Sequence, residues 1–152
     1  ITDMQAAVGC GQLDKLDSIV AARRANYQML YDGLKGIPGL ILPVAEANSN
    51  PSWFGFLIAV KEDAGFTRNE LTGYLEQNKI QTRNLFAGNL TKHPCFDEMR
   101  QTGEGYRIVG ELRNTDFVMT NGFWIGVFPG MTKEMNQWMI KCISEFCNQH
   151  AK

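Results

Sequence analysis

Arg83, Asn89, Lys92 and His93 stand within one short stretch, residues 80–94, and together they suit an oxygen-rich anionic ligand. Arginine offers a rigid fork of N–H donors, asparagine a donor and an acceptor, and lysine and histidine further donors. The stretch begins like a strand and ends in a Gly88-Asn89 turn, which sets these side chains at a strand end. A solvated strand end with a surface loop is the alternative reading of the same residues. Trp53 and Phe54 are a second candidate pair: they open an apolar run, where an aromatic ring either stacks on a ligand or joins the core.

The residues for a complete reaction are missing. A nucleophile of the Ser or Cys type needs a histidine nearby, yet His150 lies in the last three residues and His93 has only Cys95 beside it in sequence. Asp97, Glu98, Glu104, Glu111 and Asp116 fall where solvated charge is the ordinary expectation, so no acid/base pair stands out. A metal would have His93 and Cys95, two ligands at most. Gly9-Cys10-Gly11 follows no strand and lacks the third glycine of a dinucleotide loop, so close helix packing or a kink is its expected use. Spacing alone therefore gives a binding surface, with neither a catalytic residue nor a metal site.

The elements that carry these residues are legible from caps and periodicity. Thr2 and Gln5 have capping-box spacing, and Met4, Val8, Leu16, Ile19, Val20, Tyr27, Leu30, Tyr31 and Leu34 form a long apolar stripe with a break near Asp14. Gly36-Ile37-Pro38-Gly39 stops it, and a short strand over 40–42 follows. Residues 53–60 predict a strand with both faces apolar, the expected sheet centre. Thr67 and Glu70 cap a short helix that leads to the strand at Ile80. Residues 106–119 are ambiguous, with a helical stripe through Ile108, Leu112 and Asp116, and 122–129 reads as another buried strand. Thr132 caps a final helix whose Met135, Trp138, Met139, Cys142, Ile143 and Phe146 make a core-facing stripe. The sum is an α+β fold: three or four mostly antiparallel strands with helices packed on one face.

With 152 residues the chain is read as one domain, 1–152, large enough to bury a core unaided. A net charge of −1 gives no basic field for nucleic acid, and the longest apolar run is too short to span a bilayer. Cys10, Cys95, Cys142 and Cys147 include no CxxC pair, and those in helical segments are expected to be buried apolar residues. A cytoplasmic setting is expected. A helix cap at the second residue, with no initiator Met, suggests a chain cut from something longer.

The opening Ile1-Thr2-Asp3-Met4-Gln5-Ala6-Ala7-Val8-Gly9 resembles the helix that begins the carboxyl-terminal part of the DegT/DnrJ/StrS family, fold-type I pyridoxal-phosphate (PLP) enzymes acting on nucleotide-linked keto sugars. Residues 82–90 (TRNLFAGNL), 123–132 (FWIGVFPGMT) and 52–56 (SWFGF) resemble one branch, the 4-keto-6-deoxyhexose 3-dehydratases of lipopolysaccharide and deoxysugar biosynthesis. The resemblance covers nearly the whole chain.

It implies the small domain of a two-domain subunit, closing over a CDP- or GDP-linked keto sugar held by a large amino-terminal domain, with homodimerisation completing each active site. PLP or pyridoxamine phosphate would belong to that absent domain, none being expected in this chain, and an iron-sulfur cluster is left open. Arg83 falls on the family's substrate-facing arginine, Asn89 and His93 on the loop that approaches the sugar, and Trp53 and Phe54 near the cleft; these five are the expected substrate-binding residues. The chain alone is expected to be inactive. A nucleotide-sugar aminotransferase is the nearest rival, separated by a Lys rather than a His beside the cofactor, and a non-catalytic binding module is the rival from another class.

Overall fold

The computed structural model describes residues 1–150. Helix α1 spans Asp3–Leu13, its first turn closed by the Thr2–Gln5 capping box. A turn at Asp14 and Lys15 separates it from α2, Leu16–Leu34, so the long apolar stripe breaks where the sequence indicates. The two halves differ in burial. Helix α2 sends Tyr27, Leu30 and Leu34 into the core, whereas α1 buries none of its residues. Among the described residues Gly9 and Gly11 have no atom close enough to meet an added Cβ, so the expected close packing at these glycines is not made there.

Four strands follow in chain order: β1 Leu40–Ile41, β2 Gly55–Val60, β3 Thr82–Asn84 and β4 Gly122–Gly126. Their spatial order is β1-β2-β4-β3 with every neighbouring pair antiparallel. Strand β2 thus lies inside the sheet, as its apolar character requires. It begins two residues later than the sequence indicates, because Trp53 has a left-handed φ of 59° that ends the extended run.

Register fixes which residues share a face. Phe56 pairs with Ile125 and Ile58 with Phe123, and all four are buried. Against them pack α2, α3 (Arg68–Gln77, capped by Thr67 and Glu70) and α6 (Lys133–His150), through Leu30, Leu34, Leu71, Leu75, Ile143 and Phe146. This helix layer on one sheet face is the expected α+β arrangement.

Three local expectations need correction. Residues 106–112 form no helix; α5 covers Arg113–Asn121, and left-handed glycines at 105 and 110 break the Ile108–Leu112–Asp116 stripe. On α6, Met139, Cys142, Ile143 and Phe146 are buried, but Met135 and Trp138 at the amino-terminal end are exposed. Cys10, expected to be buried, is exposed on α1, which buries none of its residues among the described part of the chain. Between β3 and α5 run two single 3-10 turns, Leu90–Lys92 and Pro94–Phe96, and the short helix α4, Asp97–Thr102. Among the described residues no helix is long and apolar enough to cross a membrane.

Candidate functional site

On the sheet face opposite Phe56 and Ile125, Leu57, Trp124 and Arg83 stand in one row across β2, β4 and β3. The row follows from alternation: Phe123 and Ile125 point to the helices, so Trp124 between them points away. Arg83 is exposed at the sheet edge, and among the described residues its guanidinium has no hydrogen-bond or ion-pair partner. Glu76 at the end of α3 lies within its electrostatic reach but directs its carboxylate to Thr82, accepting from the backbone N at 2.5 Å and from Oγ1 at 2.8 Å. Those two bonds, with the Arg83 charge adding to them, hold the Glu76 carboxyl below its ordinary range.

Arg83 opens onto a cleft of about 490 Å³ whose walls include Lys79, Trp124, Met131, Met135 and Trp138. The cleft contains two cations and no carboxylate. Trp138 Nε1 donates to Asn78 O at 3.1 Å, tying α6 to the end of α3 beside Lys79, itself in a left-handed conformation. This is the physical reason that Met135 and Trp138 depart from the core stripe: they wall the cleft. Among the described residues the buried Nε1 of Trp124 has no acceptor, a donor left unspent at the same wall.

On the other side of Trp124 lies an aromatic patch. The Phe54 and Phe86 rings sit 5.2 and 6.1 Å from the Trp124 ring, around a shallow hollow of about 190 Å³. Gly55 is what lets the indole lie flat there, since a Cβ at this position would fall 2.5 Å from Trp124 Cε3. Phe54 is thus brought to the Arg83 row. Trp53 is not: it stacks on Tyr27 of α2 at the edge of the core.

The loop after β3 spends its polar side chains internally. Asn89 is 2% exposed; its Nδ2 donates to Asp116 Oδ1 at 2.7 Å, and its Oδ1 accepts from Thr91 N at 3.0 Å and Thr91 Oγ1 at 2.6 Å. Lys92 pairs with the same Asp116 oxygen at 2.9 Å. These bonds, that from Asn89 foremost, hold the Asp116 carboxyl below its ordinary range. His93 Nε2 donates to Ala87 O, closing the loop on itself. Of the four polar residues that mark the stretch in sequence, Arg83 alone keeps its donors free, while Asn89 and His93 shape the loop beside it.

The sequence passed over Trp124, Lys79 and Asp116. Alternation along β4 was a usable signal for Trp124. Asp116 gave none, because its partners are 24 and 27 residues distant and meet it only in the folded chain.

Thiol chemistry has no support on α6: Cys142 and Cys147 are buried, and burial pushes the Cys147 thiol up to about 12. Nor do the cleft residues compose a PLP site. A protonated pyridine nitrogen needs a facing carboxylate, and the lining that holds Lys79 and Arg83 supplies none.

Residues 1–144 match the sequence profile of the DegT/DnrJ/EryC1/StrS aminotransferase family. The chain is 48% identical over 145 residues to a dTDP-4-dehydro-2,6-dideoxy-D-glucose 3-dehydratase of Saccharopolyspora spinosa, covering 95% of this chain and 30% of that protein. It is 46% identical over 147 residues to the lipopolysaccharide biosynthesis protein RfbH of Salmonella typhimurium, covering 96% and 32%. In three dimensions it superimposes on an Escherichia coli GDP-4-keto-6-deoxy-D-mannose-3-dehydratase with bound hydrated PLP, with a TM-score of 0.78, 25% identity, and coverage of 92% of this chain and 34% of that one. The chain thus spans about a third of the length of the relatives it matches.

Proposed function

Because the chain belongs to the DegT/DnrJ/EryC1/StrS aminotransferase family, we propose that it is the substrate-closing small domain of a PLP- or pyridoxamine-phosphate-dependent nucleotide-4-keto-6-deoxyhexose 3-dehydratase. The 48% identity to a protein named as a 3-dehydratase supports this branch over transamination. The cofactor, bound by the part of the enzyme outside this chain, supplies the electron relay that lets the C3 hydroxyl leave. The parent is a cytoplasmic homodimer, and this chain alone is inactive.

This chain's own contribution is binding and orientation. Arg83 reaches a diphosphate or sugar oxygen with its free guanidinium, the one observation that carries the assignment. Phe54, through the Trp124 patch, supplies apolar surface that excludes water beside that contact. Asn89 and His93 hold the loop at the sugar's approach, and Trp53 supports the strand entrance from behind. The sequence resemblance favours CDP or GDP, and the S. spinosa relative is named for a dTDP sugar.

The test is turnover by the full-length protein, loaded with pyridoxamine phosphate and offered CDP-, GDP- and dTDP-linked 4-keto-6-deoxyhexoses. Loss of the C3 hydroxyl as water is the expected product. Transfer of an amino group to C4, with the C3 hydroxyl retained, overturns the assignment.

A further inference from the structure

Two loop residues that suit an anionic ligand are instead gathered by one carboxylate on a different element. Asp116 Oδ1 takes both Asn89 Nδ2, at 2.7 Å, and Lys92 Nζ, at 2.9 Å. We propose that Asp116 is the positioning residue of the substrate wall: it presets the loop over residues 85–93, and with it the Phe86–Trp124 contact beside Arg83, before any ligand arrives. This deepens the dehydratase reading and rests on it.

The contacts run continuously from Asp116 to Arg83. Met119, nearly one turn along α5, receives the Asn89 backbone N–H on its Sδ at 3.3 Å. It also lies under Gly88, where an added Cβ would come within 2.5 Å of Met119 Cγ. Helix α5 therefore holds the loop at Gly88, Asn89 and Lys92. Between this anchor and β3 the chain must reverse through two consecutive left-handed residues, Ala87 and Gly88, both with φ of 58°. That is a sterically poor conformation for alanine, so the surrounding contacts must impose it. Phe86, immediately before the turn, is thereby set against Trp124, the cross-strand neighbour of Arg83.

Helix α5 is itself fixed to the sheet. Arg68 Nη1 donates to Met119 O at 3.0 Å and Gly122 O at 3.3 Å, and Asn121 Nδ2 donates to Val60 O at 2.7 Å. From α4, Arg100 Nη1 holds Thr91 O at 2.5 Å and His93 O at 2.9 Å, so the loop is gripped from both sides. The loop thus takes its geometry from the sheet through α5. Preorganisation of this kind lowers the ordering cost at binding and so acts on substrate affinity.

The experiment compares the full-length enzyme with its Asp116→Ala, Asp116→Asn and Lys92→Met variants. Hydrogen exchange at the Thr91 amide is read without substrate, and kcat and KM are read with the nucleotide keto sugar. Asp116→Ala is expected to speed Thr91 exchange and raise KM by about tenfold each while kcat stays within about threefold. Asp116→Asn, whose side-chain oxygen still accepts from Asn89, recovers part of both changes. The Ile125 amide, inside the sheet, serves as the control and keeps its protection.

Unchanged Thr91 exchange overturns the proposal, as does a loss carried by kcat with KM fixed. Faster exchange with unchanged KM also overturns the positioning role. In that case Arg83→Ala shows where the fault lies: if its KM is unchanged too, the substrate-wall reading has failed as well. Should Asp116→Ala not fold, Asp116→Asn and Lys92→Met weaken the clamp one partner at a time, and the same two measurements on them decide the matter.

Discussion

The indole of Trp53 lies parallel to the ring of Tyr27, with centroids 3.8 Å apart and planes 4° from parallel. The stack joins the segment before β2 to helix α2, and two hydrogen bonds brace it: Arg23 Nη1 donates to Trp53 O at 2.7 Å, and Tyr27 Oη donates to Pro43 O at 2.5 Å. Burial, with the neighbouring Tyr31 charge, raises the Tyr27 pKa, so its hydroxyl remains a donor at neutral pH. Trp53 thereby props the entrance to β2, where Phe54 lies.

Trp53→Ala should therefore act on stability. Removing a stacked, half-buried indole is expected to cost about 2–4 kcal/mol, near the lower part of the range for aromatic truncation. Urea unfolding of the variant checks this. A midpoint unchanged from wild type would show that the stack contributes nothing net.

Gly88→Ala places a Cβ 2.5 Å from Met119 Cγ on a residue whose φ is 58°. Both the overlap and the left-handed backbone disfavour it, for an expected destabilisation of about 1–3 kcal/mol. Shortening Met119 to alanine in the same chain should relieve the overlap and leave the backbone part, which a double-mutant cycle separates.

Arg83→Ala in the full-length enzyme should weaken nucleotide-sugar binding by about tenfold or more and leave cofactor affinity unchanged. Titration of each ligand separately reads the two effects. The reverse pattern would remove Arg83 from the substrate wall. Lys92→Ala is expected to change binding less, because its charge is already answered by Asp116.

Acid should loosen the loop. The Asp116 and Glu76 carboxyls are both held below their ordinary range in the folded chain, by Asn89 and Lys92 in one case and by Thr82 and Arg83 in the other. A carboxyl lowered on folding contributes stability that is fully present above its unfolded pKa and is lost as pH falls through its folded one. Thr91 exchange, corrected for its intrinsic pH dependence, is thus expected to rise as pH falls from about 5 to about 3. Asp116→Asn should flatten that response at Thr91, and a response that survives the substitution would assign it to another group.

Elements whose causes are local could be read directly along the chain. The Thr2–Gln5 and Thr67–Glu70 boxes satisfy backbone donors three residues away, and the spacings of α2 and α6 and the apolar run of β2 fix the faces they bury. The opening run over residues 1–9, together with the motifs at 52–56, 82–90 and 123–132, was enough to indicate the family. Which polar residues stay free follows from long-range contacts. Asn89, Lys92 and His93 look as available as Arg83 along the chain, but Asp116 meets Asn89 and Lys92 only after folding, and the reversal of the loop itself brings His93 to Ala87 O. Likewise Trp138 and Met135 fit a core stripe by periodicity, and whether a stripe ends in core or cleft depends on what packs opposite it. Hydrogen-bond satisfaction and burial are sums over neighbours distant in sequence, whereas caps and periodicity are sums over neighbours along the chain.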